Sequence, residues 1–401
     1  MSRGPATIWC VLVLGLTGPL AGTAAADVVE TTRGSEVYKI PHKRSSESRG
    51  MVMKGARFEV RERRAGRGCK GEWLKIDDRA WLCSAGTRAT TKAPGGDALP
   101  AKAAGNLPHR YVVTRDATAY DTLEDAVAER KARVLAGQGG FKYRGTRSKG
   151  GQSFVKTDEG WVPADQATIV DSIDFNGQPL TAVAVGKRLA FVGPRAAPLY
   201  DRTGRRLAGV ASLERQRYLG EVGAPVSVGG TALVPTTPGG DRFVRTAALS
   251  MVDWAPAPAG IGATERWLDV DMTEQLLVAY EGTRPVYVTL VSTANTATPV
   301  GEFRIEKKRP FSRMTSKPHY RTKWDTYTPW VISINGRIAL HAVYWHEEFG
   351  RTKSQGCVNL APTDASWVWD FTSPALPPGW LRIESDELDQ PTLVRLRRSK
   401  P

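Results

Sequence analysis

A chain of 401 residues is too long for one ordinary hydrophobic core and is expected to divide into two to four small domains. Its 56 Lys and Arg against 41 Asp and Glu give a formal charge of +15, which draws it to anionic surfaces. The cations are dispersed and no zinc-knuckle or RNA-binding signature accompanies them, so nucleic acid is excluded as the expected partner.

The first residues carry one positive charge at Arg3, a short apolar run broken by Pro19, and the small residues Gly22 to Ala26 ahead of Asp27. This is the pattern of a cleaved export signal over 1–26. A membrane anchor is the competing reading, but spanning a bilayer takes about 20 apolar residues. No later stretch is apolar enough to cross, so no stable anchor is expected after cleavage. The chain is therefore expected to be exported, periplasmic or envelope-associated, and its charge suits an anionic envelope polymer, the alternative being a charge that serves solubility alone.

Export also changes the reading of cysteine. Cys10 leaves with the signal, and of the three remaining, Cys69 and Cys83 lie close together in one small segment and are the natural disulfide pair. Cys357 is left over, as either a reactive thiol or a buried inert one.

From Glu36 to about Ala85, short apolar–polar alternations such as Arg57 to Arg61 and Trp73 to Ile76 are separated by Gly and charged turns, as in a small β-barrel. The segment 27–91 resembles bacterial SH3-like modules. A Pro/Gly/Ala-rich linker over 92–108 follows. A weak repeat places Trp73, Phe154 and Phe243 in similar Gly-aromatic-cation settings, 81 and 89 residues apart, so 109–253 is read as one or two further SH3-like β modules. Within it, Asp121 to Leu135 has the Ala and Leu content and mixed charge of a surface helix. A second linker covers 254–263, and a last β-rich domain is expected over 264–397, opening with a hairpin at Arg266–Asp271 and Gln275–Tyr280.

The last domain carries the chemistry. Ile332 to Leu340 gives two apolar runs around Asn335-Gly336, a strong hairpin signal, and His341 stands at the end of the second strand. Sixteen residues after His341 stands Cys357, within Ser354-Gln355-Gly356-Cys357-Val358-Asn359, followed by a helix candidate opening at Pro362. A thiol is a weak nucleophile until a base makes it a thiolate, and histidine is the side chain matched to that task near neutral pH. Gly356 allows close backbone approach, and neighbouring amides can stabilise a tetrahedral oxyanion. His341, His346 and His319 supply too few ligands at suitable spacing for zinc, so neither a metal nor another cofactor is expected.

His341 with Ser354-Gln355-Gly356-Cys357-Val358-Asn359 resembles the catalytic motif of the L,D-transpeptidases of YkuD type, a histidine followed by Ser/Thr-His-Gly-Cys-x-Asn. The resemblance takes in Arg266 to Asp271, Thr298 to Phe303 and Pro329-Trp330. It implies a mainly β fold, with small SH3-like β-barrels preceding a β-rich catalytic domain that acts on peptidoglycan stem peptides through a cysteine acyl-enzyme. Cys357 would be the nucleophile and His341 the base, oriented by the Ala342 carbonyl. Gly356 and Cys357 amides would form the oxyanion hole, with Ser354 and Asn359 shaping the loop. Trp330, Tyr344, Trp345 and His346 are candidates for the substrate groove, the aromatic residues alternatively for the core. Gln355 departs from the pattern: it can hydrogen-bond but cannot carry a proton charge where the family has a second histidine. Three functions stay open: transfer to a stem-peptide amine, transfer to water or another amine (a carboxypeptidase, an endopeptidase or an enzyme that anchors protein to the wall), and wall binding without catalysis.

Overall fold

The computed structural model describes residues 27–96, 106–170, 173–180, 186–316 and 322–400. The proposed export signal, most of the first linker and His319 lie outside the described residues.

The chain is mainly β, as expected, built from several open sheets. The two α-helices among the described residues are Leu123–Val127 and Pro362–Phe371. The N-terminal segment folds around Val29, Val37, Val52, Leu74 and Leu82, all buried. Its strands do not close into the expected barrel. Val28–Thr31, Arg57–Glu59 and Thr87–Ala89 form one small sheet, while Ser48–Val52 pairs outward with Trp380–Glu384 near the C-terminus. That pairing satisfies backbone groups that closure would otherwise have used. Gly50 permits the contact, because a side chain there would collide with the Arg382 carbonyl. Cys69 and Cys83 are disulfide-bonded.

Tyr111–Ala119 and Arg133–Lys149 form a long antiparallel pair, and the latter also runs parallel to Trp324–Asn335 through Gln138↔Trp324 to Gly140↔Thr326. The helix expected over Asp121 to Leu135 is much shorter. Thr122 caps it by accepting from the Asp125 amide, but Glu129 and Lys131 take positive φ (52° and 54°), and Arg133 already pairs with Ala119. Helix propensity here yields to strand pairing. Two small sheets with their own buried cluster, including Val192, Val222, Val234 and Val244, occupy 189–251.

The last part of the chain folds as two sheets enclosing the largest core. The first orders Gln178–Pro179, Arg284–Leu290, Leu276–Glu281, Arg266–Asp271, Leu393–Arg397 and Gly301–Arg304, the expected opening hairpin lying at its centre. The second contains Lys307–Thr315, Trp324–Asn335, Ile338–Ala342 and Val358–Leu360. Helix Pro362–Phe371 buries Ala365, Val368 and Trp369 against this core, and Lys308 donates to the Trp369 and Thr372 carbonyls at its C-terminal end (2.7 and 2.9 Å). Asp364, also buried, accepts from Gly177 N, Tyr287 Oη and Thr289 Oγ1, tying the 173–180 segment to the helix.

Candidate active site

The hairpin signal at Asn335-Gly336 is fulfilled with the turn centred one residue later: Asn335 pairs with Ile338, leaving Gly336 (φ 52°) and Arg337 at the bend. The returning strand Ile338–Ala342 pairs in parallel with Val358–Leu360, placing His341 opposite Asn359. Cys357 stands immediately before the Val358–Leu360 strand, so this pairing brings the two segments that carry His341 and Cys357 side by side.

His341 is 5% exposed, and its Nδ1 lies 3.0 Å from the Ala342 carbonyl oxygen. Carbonyl oxygen only accepts, so Nδ1 carries the proton and Nε2 holds the lone pair. Burial lowers the His341 pKa to about 4, against a smaller upward pull from the same carbonyl. The ring is neutral at pH 7. Burial likewise pushes the half-buried Cys357 thiol up, with a bond from the Ala339 backbone pulling down. Cys357 Sγ also lies 3.7 Å from the Arg337 carbonyl. The resting pair is therefore neutral thiol and neutral imidazole, and the base is in its working form.

The loop before Cys357 is closed by side chains. Ser354 Oγ donates to the Cys357 carbonyl (2.5 Å) and accepts from Gly356 N (3.1 Å). Thr298 Oγ1 donates to the Gly356 carbonyl (2.8 Å) and accepts from Ala294 N (2.9 Å). Gly356 has φ 145°, a conformation that favours glycine. Its amide donates to Ser354 Oγ in this structure. Gln355 is exposed, and its Oε1 accepts from Trp324 Nε1 (3.0 Å).

His346 Nδ1 accepts from the Glu348 amide (3.2 Å), so in the neutral ring Nε2 carries the proton. Nε2 lies 3.1 Å from the Asn359 amide group, which must then present its oxygen to the ring. Burial lowers His346 to about 4 as well. The Asn359 backbone exchanges two hydrogen bonds with Ser292 (2.8 and 3.0 Å).

The expected groove residues separate into two groups. Trp345 is half-buried with its ring 6.1 Å from that of His341, and His346 lies beside it. Trp330 and Tyr344 are core residues instead, 1% and 4% exposed. Trp330 takes φ 52° within its strand, opposite Pro310, which has no N–H to pair with it, and its indole donates to the Asn106 carbonyl. Tyr344 stacks on Tyr111 (4.2 Å) and donates to the Tyr327 carbonyl. Thr298 and Trp324 were not singled out as site residues from sequence. Thr298 stands in the Thr298 to Phe303 stretch that carries part of the resemblance, whereas no sequence signal marks Trp324.

Comparison with known proteins identifies a match to the YkuD L,D-transpeptidase catalytic domain over residues 265–379. A putative L,D-transpeptidase, YciB of Bacillus subtilis (strain 168), is 27% identical over 146 residues, covering 32% of this chain and 73% of that protein. Among solved structures, an Enterococcus faecium L,D-transpeptidase mutant shares 18% identity over 33% of this chain, with a TM-score of 0.26, and the match spans 50% of that chain. An L,D-transpeptidase from Mycobacterium smegmatis shares 12% identity over 64% of this chain and 99% of its own, with a TM-score of 0.28. Residues 265–379, the stretch that contains His341 and Cys357, carry the YkuD-type L,D-transpeptidase catalytic domain.

Proposed function

We propose that the chain is a peptidoglycan L,D-transpeptidase in which Cys357 is the nucleophile and His341 the general base. The observation that supports this reading is the pairing of the His341 strand with the strand that directly follows Cys357, together with the Ala342 carbonyl, which leaves Nε2 as the free acceptor. In the first half-reaction, Nε2 takes the thiol proton as Sγ attacks the carbonyl that precedes a terminal D-amino acid of a stem peptide. The tetrahedral oxyanion is held by the Cys357 amide, joined by Gly356 N where substrate displaces Ser354 Oγ. The C–N bond breaks, His341 returns its proton to the leaving amine, and a thioester remains on Cys357. An acceptor amine then attacks the thioester, loses its proton to Nε2, and regenerates the thiol.

The bond from Trp324 to Gln355 favours catalysis over simple wall binding, because it gives position 355 a loop-holding role that needs no charge. The cell-wall setting of the family agrees with export of the chain through the 1–26 signal. In this reading the N-terminal and middle β modules bind the wall, and the +15 charge favours the anionic envelope. Incubating the purified chain with muropeptides and analysing products by mass spectrometry tests the proposal. A crosslinked dimer made by the wild type and not by Cys357→Ala supports transfer to a stem-peptide amine. A trimmed monomer assigns water as acceptor, and retained binding with no product defeats catalysis.

A further inference from the structure

The loop between the proposed base and nucleophile is gripped by the preceding β module. Gln216 belongs to the 189–251 sheets, is 7% exposed, and takes φ 61°, a conformation uncommon for glutamine. Its own amide donates to the Val192 and Gly193 carbonyls (3.1 and 3.0 Å), which fixes its backbone in that module. Its side-chain Nε2 donates to two loop carbonyls, Glu347 (2.6 Å) and Phe349 (3.1 Å). Arg215 beside it donates to the same Glu347 carbonyl and pairs with the Glu347 carboxylate. From the catalytic side, Ser292 Oγ donates to the Glu348 carbonyl and Gly350 N to the Val291 carbonyl. The loop is therefore held from two sides, by the 189–251 module and by the catalytic domain.

What the loop carries makes this grip consequential. Phe349 is fully buried, stacked on Phe175 (5.5 Å) and against the His346 ring (5.7 Å). His346 bonds Asn359, two residues from Cys357, and Trp345 flanks His341. Both donors of one side chain thus fix the backbone on either side of the Glu348 amide that orients His346.

We propose that Gln216 is a positioning residue for the thiol site, acting across the module boundary through the Trp345–Gly350 loop and His346 on Asn359 and the Cys357 loop. The inference rests on the transpeptidase reading for its effect on turnover. Its structural part does not.

The test uses the full chain with Gln216→Met, which keeps the volume and removes the donors. Turnover of a stem-peptide substrate is expected to fall about tenfold in kcat with KM changed less than about twofold, since geometry and not affinity is lost. The His346 ring, followed by NMR titration, should move up from about 4 toward an ordinary histidine value as the loop lifts and water reaches it. Glu348, Lys353, Arg351 and His341 face this ring and are unchanged in the variant, so the shift reports burial. In a double-mutant cycle with His346→Ala, the second substitution should cost less than about twofold further. If Gln216→Met does not fold, Gln216→Asn, which is too short to reach both carbonyls, must give the same pattern. A wild-type kcat and an unmoved His346 titration overturn the proposal, as do fully multiplicative effects in the cycle. If the wild type itself turns over no stem peptide, the transpeptidase reading fails, and the His346 titration still decides the clamp.

Discussion

At the scale of single residues, the proposed mechanism depends on two neutral groups, the Cys357 thiol and the His341 imidazole, and on one proton transfer between them. Replacing Cys357 by Ala should reduce turnover at least about a thousandfold, and His341→Gln by about a hundredfold or more, as measured by product formation. Both pKa directions have consequences for pH. His341 is depressed to about 4, so the base stays neutral as pH falls through 6, and kcat/KM should hold until it drops below about pH 5. The Cys357 thiol is raised, so alkylation by iodoacetamide should climb with pH through the alkaline range, whereas a plateau at pH 6 would mean a preformed thiolate. Gln355→His should leave turnover within about threefold, because position 355 bonds Trp324; a gain of orders of magnitude would contradict a loop-holding role. His341, Cys357 and the Ser354 to Asn359 stretch stand out in the sequence as candidates because the proposed chemistry dictates residue type. For Trp330 the sequence left groove and core open, and its burial favours the core; nothing in a one-dimensional pattern announces its positive φ.

At the scale of elements, two contacts between distant segments hold the site. Thr298 reaches the Gly356 carbonyl from a loop 58 residues upstream. Thr298→Val keeps the shape and removes both hydrogen bonds, so it should lower kcat about tenfold and stability by about 1 kcal/mol, read by kinetics and urea unfolding. Asp364 is the buried acceptor for three donors, and Asp364→Ala should cost about 3 kcal/mol. Burial raises this carboxyl to about 6 from 3.8. The folded state therefore binds its proton more tightly than the unfolded chain, and its contribution makes the fold lose stability as pH rises from about 4 to about 6; Asp364→Asn should flatten that slope. The Asn335-Gly336 hairpin was readable because few sequences suit such a turn. The helix at Asp121 to Leu135 was overread, because its composition is helical while its last residues are recruited by a strand that the local sequence does not reveal.

At the scale of the whole molecule, the modules share sheets and contacts. Ser48–Val52 pairs with Trp380–Glu384, and Arg133–Lys149 with Trp324–Asn335, while Gln216 holds the active-site loop. None of these junctions was legible, because pairing between strands hundreds of residues apart leaves no mark in composition. The Cys69–Cys83 pair was legible from proximity alone. Its reduction should cost the N-terminal module about 3 kcal/mol, seen as an earlier unfolding transition, while Cys357 keeps its reactivity in a separate core. The central claim is that Cys357 becomes acylated, and the direct measurement is peptide-mapped mass spectrometry of the chain quenched during turnover of a tetrapeptide-stem muropeptide. The account predicts an acyl adduct on the Cys357 peptide, with loss of the terminal D-amino acid, absent from Cys357→Ala; product formation with no adduct there, or an adduct that survives the substitution, would contradict it.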